Sequence, residues 1–149
     1  MNTPPRFLLR IPAPLYDAMI EQARAELPAE CCGLLAGRIS EDGLLAEVVE
    51  RYPLINELKS PTEFVSEPRS HLAAERDIRQ KQLDVLAVYH SHPSSAPIPS
   101  KSDLERSYRP SVMNLIIGFE TEVPEVGVWW LEGLAFHAGS LEKMFVPQS

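Results

Sequence analysis

Positive charge is in short supply in this chain: 14 lysines and arginines stand against 21 aspartates and glutamates, a formal net charge of -7. Neither a phosphate backbone nor an anionic lipid surface finds an electrostatic complement in such a sequence, so no nucleic acid and no membrane are expected as partners. Long apolar runs are missing as well. Nothing approaches the roughly 18 consecutive apolar residues of a membrane span, and Met1 to Arg10 holds no run suited to a signal peptide. The expectation is a soluble, cytoplasmic protein. Cysteine is confined to the neighbours Cys31 and Cys32, which cannot staple distant segments and lack the paired spacing of a structural zinc site. On a strand they point to opposite faces, with at most one turned to the core, and they read as small buried side chains in a reducing compartment.

What is present suffices for one core. A chain of 149 residues that is 44% hydrophobic suits a single domain over 1–149, with no repeat, low-complexity tract or linker. Arg6 to Ile11 reads as a strand. Pro14 to Glu26 reads as a helix with Leu15, Met19, Ile20 and Ala23 at helical spacing and Pro14 in its first turn. Cys31 to Ala36 and Leu44 to Tyr52 read as strands and Thr62 to Ser66 as a short further one. Pro68 to Gln82 is a polar helix whose apolar face is Leu72, Ile78 and Leu83. Val85 to Tyr89 is continuously apolar, as in a strand covered on both sides. A proline-stiffened loop from Pro93 to Pro99, a short helix from Ser100 to Tyr108, and strands over Val112 to Phe119, Val126 to Leu131 and Leu134 to His137 complete the reading. The expected architecture is α/β (α+β), a mixed β-sheet flanked by helices.

His90 and His92 stand two apart at the end of the apolar strand, so extended geometry projects both imidazoles from one face toward a common metal. Asp103, eleven residues after His92 and beyond the loop, supplies an oxygen as third ligand. Three protein ligands leave a fourth zinc position open, which is how catalytic rather than structural zinc sites are built. Hydrolysis on such a site needs a carboxylate outside the ligand set as general base, and Glu30, at the mouth of a buried strand, is the candidate. Ser100 is the candidate donor to the developing oxyanion. Each residue also has an ordinary reading. His-x-His pairs arise by chance, Ser100 with Asp103 fits a helix capping box, and Glu30 fits a polar residue leaving a turn. His71 and His137 are assigned to structure.

Taken together, Pro28-Ala29-Glu30-Cys31-Cys32-Gly33-Leu34-Leu35-Ala36-Gly37, His90-Ser91-His92-Pro93, Pro99-Ser100 and Asp103 resemble the JAMM (MPN-plus) metalloprotease family, compact bacterial type, and Pro53-Leu54-Ile55-Asn56 extends the likeness. The resemblance implies a zinc-dependent metallopeptidase or isopeptidase. Its expected target is an amide or isopeptide bond after the C-terminal glycines of a ubiquitin-like or sulfur-carrier protein. By position, His90, His92 and Asp103 match the Zn2+ ligands, Glu30 the general acid/base and Ser100 the residue supporting the tetrahedral intermediate. Two rivals remain: a non-catalytic MPN-type interaction module, and a RadC-like protein with a similar His-x-His and distal Asp. A zinc deaminase is excluded, because Cys31-Cys32 is not a Pro-Cys-x-x-Cys segment.

Overall fold

The protein's computed structural model describes residues 6–106 and 109–145. Strand β1 (Leu8–Pro12) runs directly into helix α1 (Ala13–Glu26), whose first turn holds the proline and whose inner face buries Met19 and Ala23. Then come β2 (Cys32–Ile39), β3 (Leu45–Leu54), α2 (Pro68–Gln80), β4 (Asp84–His92), α3 (Lys101–Glu105), β5 (Met113–Gly118), β6 (Glu125–Glu132), β7 (Ala135–Ala138) and β8 (Ser140–Met144). They form one mixed sheet in the order β7-β6-β5-β4-β2-β3-β1-β8. β7 and β8 lie at opposite ends of that order although only Gly139 separates them in sequence. The sheet therefore curls until its two edges approach, an accumulation of ordinary strand twist.

Curling creates an inside and an outside. The inner core packs Leu9, Ile11, Leu35, Tyr89, Leu115 and Trp130 against Met19 and Ala23 of α1. The outer core packs Leu34, Ala36 and Val88 against Ala74 and Ile78 of α2. Central strand β4 is buried from Leu86 to His92, because β2 and β5 flank it and both faces are covered.

Five differences from the sequence expectations stand out. Cys31 and Cys32 do face opposite ways, but both are buried, Cys31 in the inner core and Cys32 in the outer one. Burial pushes both thiols up to about 12. Thr62 to Ser66 forms no strand beyond a bridge between Asn56 and Ser66, since the Asn56 side chain takes up backbone groups of the segment. Helix α2 ends at Gln80 rather than Gln82, and Leu72 is 51% exposed while Ala74 and Ile78 form the inward face. β8 has no counterpart in the sequence reading: it is an alternately exposed strand that pairs parallel with β1 from Leu8↔Ser140 to Pro12↔Met144. Helix α3 is shorter than its sequence range, and Ser107 and Tyr108 at the end of that range lie outside the described residues.

Candidate metal centre

Strand periodicity puts Val88, His90 and His92 on the outer face of β4, and the fold then has to bring Asp103 to them. It does so with α3, which follows the proline-rich loop. Ser100 caps that helix: its Oγ accepts from the Asp103 N–H at 3.1 Å, while Asp103 Oδ2 accepts from the Ser100 N–H at 2.9 Å. The capping box is thus also part of the cluster that could hold a metal, for the capped carboxylate faces both imidazoles. His90 Nε2 lies 3.2 Å from Asp103 Oδ1, His92 Nε2 lies 3.0 Å from Oδ2, and the two Nε2 atoms are 3.2 Å apart. The ligand atoms of His90, His92 and Asp103 all fall within 4.8 Å of one another.

The donor chemistry decides what this cluster is for. His92 Nδ1 lies 2.9 Å from the Ala96 carbonyl oxygen and its Nε2 lies 3.0 Å from Asp103 Oδ2; both oxygens only accept, so a neutral ring satisfies one of them and a protonated ring both. With its hydrogen on Nδ1, a neutral His92 turns a bare Nε2 lone pair toward a carboxylate and a second ring nitrogen. Three acceptors at about 3 Å repel one another unless a proton or a cation stands between them. Both alternatives are visible in the electrostatics. Burial opposes charge on His92, yet Asp103 and the Ala96 carbonyl outweigh it and raise the pKa. For His90, 1% exposed, burial prevails and the pKa falls. Burial also opposes ionisation of Asp103, but the two imidazoles outweigh it and hold the carboxyl well below the ordinary carboxylate range. Two neutral Nε2 atoms and an ionised carboxylate are a fitting ligand set for a divalent metal, which competes for the place a proton would take.

Glu30 reaches the site through strand pairing. Cys32 stands opposite His90 in the antiparallel β2–β4 ladder. The Cys31 N–H donates to Ser91 Oγ at 2.8 Å and the Ser91 N–H to Cys31 O at 3.2 Å. The ladder ends at Cys32, and Glu30, two residues before it, lies close enough to His92 for their charges to interact. Ser91 therefore ties together two segments that are 60 residues apart. Glu30 is 3% exposed, and its buried Oε1 has no hydrogen-bond partner. Burial pushes its pKa up to about 8, with His92 lowering it and the Asp103 and Glu63 carboxylates adding to the rise.

The structure also brings in residues to which the sequence reading gave no role. Asn56, buried, donates from Nδ2 to the Glu30 and Glu63 carbonyls, and its Oδ1 accepts from the Leu58 and Val65 N–H groups. It thereby fixes both the backbone of Glu30 and the segment that follows β3. Phe64 in that segment stacks on His90, ring centroids 4.8 Å apart and planes 27° from parallel. In the sequence Asn56 stands out only as the end of the Pro53-Leu54-Ile55-Asn56 likeness, at the head of an irregular stretch that holds Pro61. A cavity of about 230 Å³ beside the ligands is lined by Leu54, Phe64, Val65, Val88, His90, Asp103 and Arg106 among others.

Known proteins resemble this chain over most of its length. Residues 12–132 match the model of the prokaryotic homologs of the JAB domain. A desampylase of Pyrococcus furiosus is 36% identical over 93 residues, 62% of this chain and 62% of that protein. One from Haloferax volcanii is 32% identical over 113 residues, 72% of this chain and 78% of that one. The CysO-cysteine peptidase of Mycobacterium tuberculosis is 30% identical over 112 residues, 74% of this chain and 73% of the peptidase. A solution structure of a protein from Desulfitobacterium hafniense superposes with a TM-score of 0.81 at 29% identity, covering 95% of this chain and 94% of that one. With the family's model matched from the last residue of β1 to the end of β6, this chain belongs to the prokaryotic homologs of the JAB domain.

Proposed function

We propose that the chain is a zinc-dependent peptidase or isopeptidase that cuts the bond following the C-terminal glycines of a ubiquitin-like or sulfur-carrier protein. The observation that carries this reading is the convergence of three metal-ligating side chains beside a buried carboxylate that has an unpartnered oxygen. The names of its relatives, desampylase and CysO-cysteine peptidase, point to the same class of bond.

His90 and His92, each through Nε2, and Asp103 through a carboxylate oxygen would hold zinc. When bound, zinc supplies Lewis acidity toward the scissile carbonyl and toward the attacking water. Glu30 takes that water's proton and delivers it to the departing amine. A carboxylate in water, near pH 4, would accept the proton poorly. Desolvation around Glu30 raises its proton affinity into the range where acceptance and return are both feasible. The Ser100 oxygen already accepts from the Asp103 N–H, so its own hydrogen is left to donate to the oxyanion. Phe64, Val65 and Val88 give an approaching tail an apolar wall next to His90, and glycines at the cleavage point admit its backbone past these side chains.

Elemental analysis of the purified chain beside His90→Ala and Asp103→Ala tests the reading. About one zinc per chain in the parent, lost in both variants, is expected. A folded parent that takes up no divalent metal would overturn it and leave the non-catalytic interaction module as the better account.

A further inference from the structure

The loop between β4 and α3 is held from behind. Pro97 packs against β5 and β6 at two glycines: a Cβ on Gly118 would lie 2.6 Å from Pro97 N and 2.8 Å from Ser95 O, and one on Gly127 would lie 2.5 Å from Pro97 O. From the same side the Trp129 indole N–H donates to Pro97 O at 2.8 Å. The neighbouring carbonyl, Ala96 O, accepts from His92 Nδ1. A neutral imidazole has a single ring hydrogen, for which Ala96 O competes with the Asp103 carboxylate; a metal held by Nε2 requires that hydrogen on Nδ1, where Ala96 O receives it.

We infer that Trp129, seated over Gly118 and Gly127, is a positioning residue for the metal centre: by anchoring Pro97 it fixes Ala96 O, which accepts from His92 Nδ1 in the tautomer that leaves Nε2 free to ligate. Trp129 touches neither ligand nor substrate. The indole does its work with one hydrogen bond, and the two glycines let the loop lie close enough for that bond to form. The nearest alternative is that Trp129 only packs, since its ring meets Phe136 edge-on at 5.4 Å. Hydrogen bond and packing can be separated by substitution.

The inference rests on the metal-binding reading, and its readouts are metal affinity and a bound hydrogen rather than turnover. Trp129→Phe keeps a ring and loses the donor, while Gly127→Ala puts a methyl 2.5 Å from Pro97 O and 2.8 Å from Trp129 Nε1, where it parts the two. Both should bind zinc on the order of tenfold more weakly than the parent in a chelator competition, at the low end for groups that orient a ligating imidazole. In the zinc-loaded parent the His92 Nδ1 hydrogen should be protected from solvent exchange by NMR, and both variants should lose that protection. Phe136→Leu removes the stacking partner alone and should leave both readouts at parent values. If Trp129→Phe and Gly127→Ala both bind zinc and protect that hydrogen as the parent does, the inference is overturned. It is equally overturned if Phe136→Leu weakens zinc as far as Trp129→Phe, since packing would then account for the effect. A parent that binds no zinc overturns the functional reading and the inference with it, an outcome distinct from a zinc-binding parent whose variants match it.

Discussion

Replacing Glu30 with glutamine should remove activity and, in the same protein, raise stability with a particular dependence on pH. The parent carboxyl is buried and its pKa stands at about 8 rather than the ordinary 4.5. Between those two values the unfolded chain has released this proton and the folded chain still holds it, so parent stability falls as pH rises through the window and the full penalty is present above about 8. The gap between the two values corresponds to roughly 4 to 5 kcal/mol at 1.36 kcal/mol per pH unit. Rearrangement and water entry around an ionised buried group take back part of that, leaving about 2 to 3 kcal/mol. Glutamine does not titrate. Chelator-treated Glu30→Gln should therefore match the parent within about 1 kcal/mol near pH 5 and exceed it by about 2 to 3 kcal/mol near pH 9, measured by urea denaturation. Turnover with metal restored should fall by about 10²- to 10⁴-fold while zinc still binds. A stability difference that stays constant between the two pH values refutes the desolvated carboxylate, and retained turnover removes Glu30 from the mechanism.

Two further substitutions probe the supports of the site. Asn56→Ala strands the Glu30 and Glu63 carbonyls and the Leu58 and Val65 N–H groups together. It should cost about 2 to 4 kcal/mol in denaturant melts and speed amide exchange between residues 57 and 66. An exchange pattern like the parent's would contradict that role for Asn56. Ser100→Ala removes the acceptor for the Asp103 N–H, a loss of about 1 kcal/mol by capping alone. If the hydroxyl also supports the oxyanion, kcat should drop about 10²- to 10³-fold with KM little changed; a kcat that moves no more than capping strain explains would confine Ser100 to the helix.

Much of the site was legible in the sequence because strand periodicity is a local property. Two histidines separated by one residue on an apolar strand must share a face, and Ser100 with Asp103 must begin a short helix whatever else the chain does. The same locality explains what the sequence concealed. β8 alternates between exposed and half-buried side chains, and its strand character comes from pairing with β1 at the far end of the chain. Thr62 to Ser66 has the composition of a strand but no neighbouring strand to pair with beyond one bridge, so an asparagine side chain claims its backbone instead. Leu72 satisfies helical spacing, yet the sheet lies under Ala74 and Ile78, and only the docking angle of α2 settles that.

By itself the sequence determined which side chains could serve as ligands, their spacing and the strand and helix that carry them, since each follows from backbone geometry over a few residues. Tertiary structure decided the proton chemistry. Glu30 is an ordinary surface carboxylate until the entry into β2 packs it beside His92 and removes its water, and the two His92 nitrogens are alike until the Pro93–Pro99 loop sets a carbonyl against one and α3 a carboxylate against the other. Desolvation and hydrogen-bond direction depend on what surrounds a group in space, and residues distant in the chain supply those surroundings.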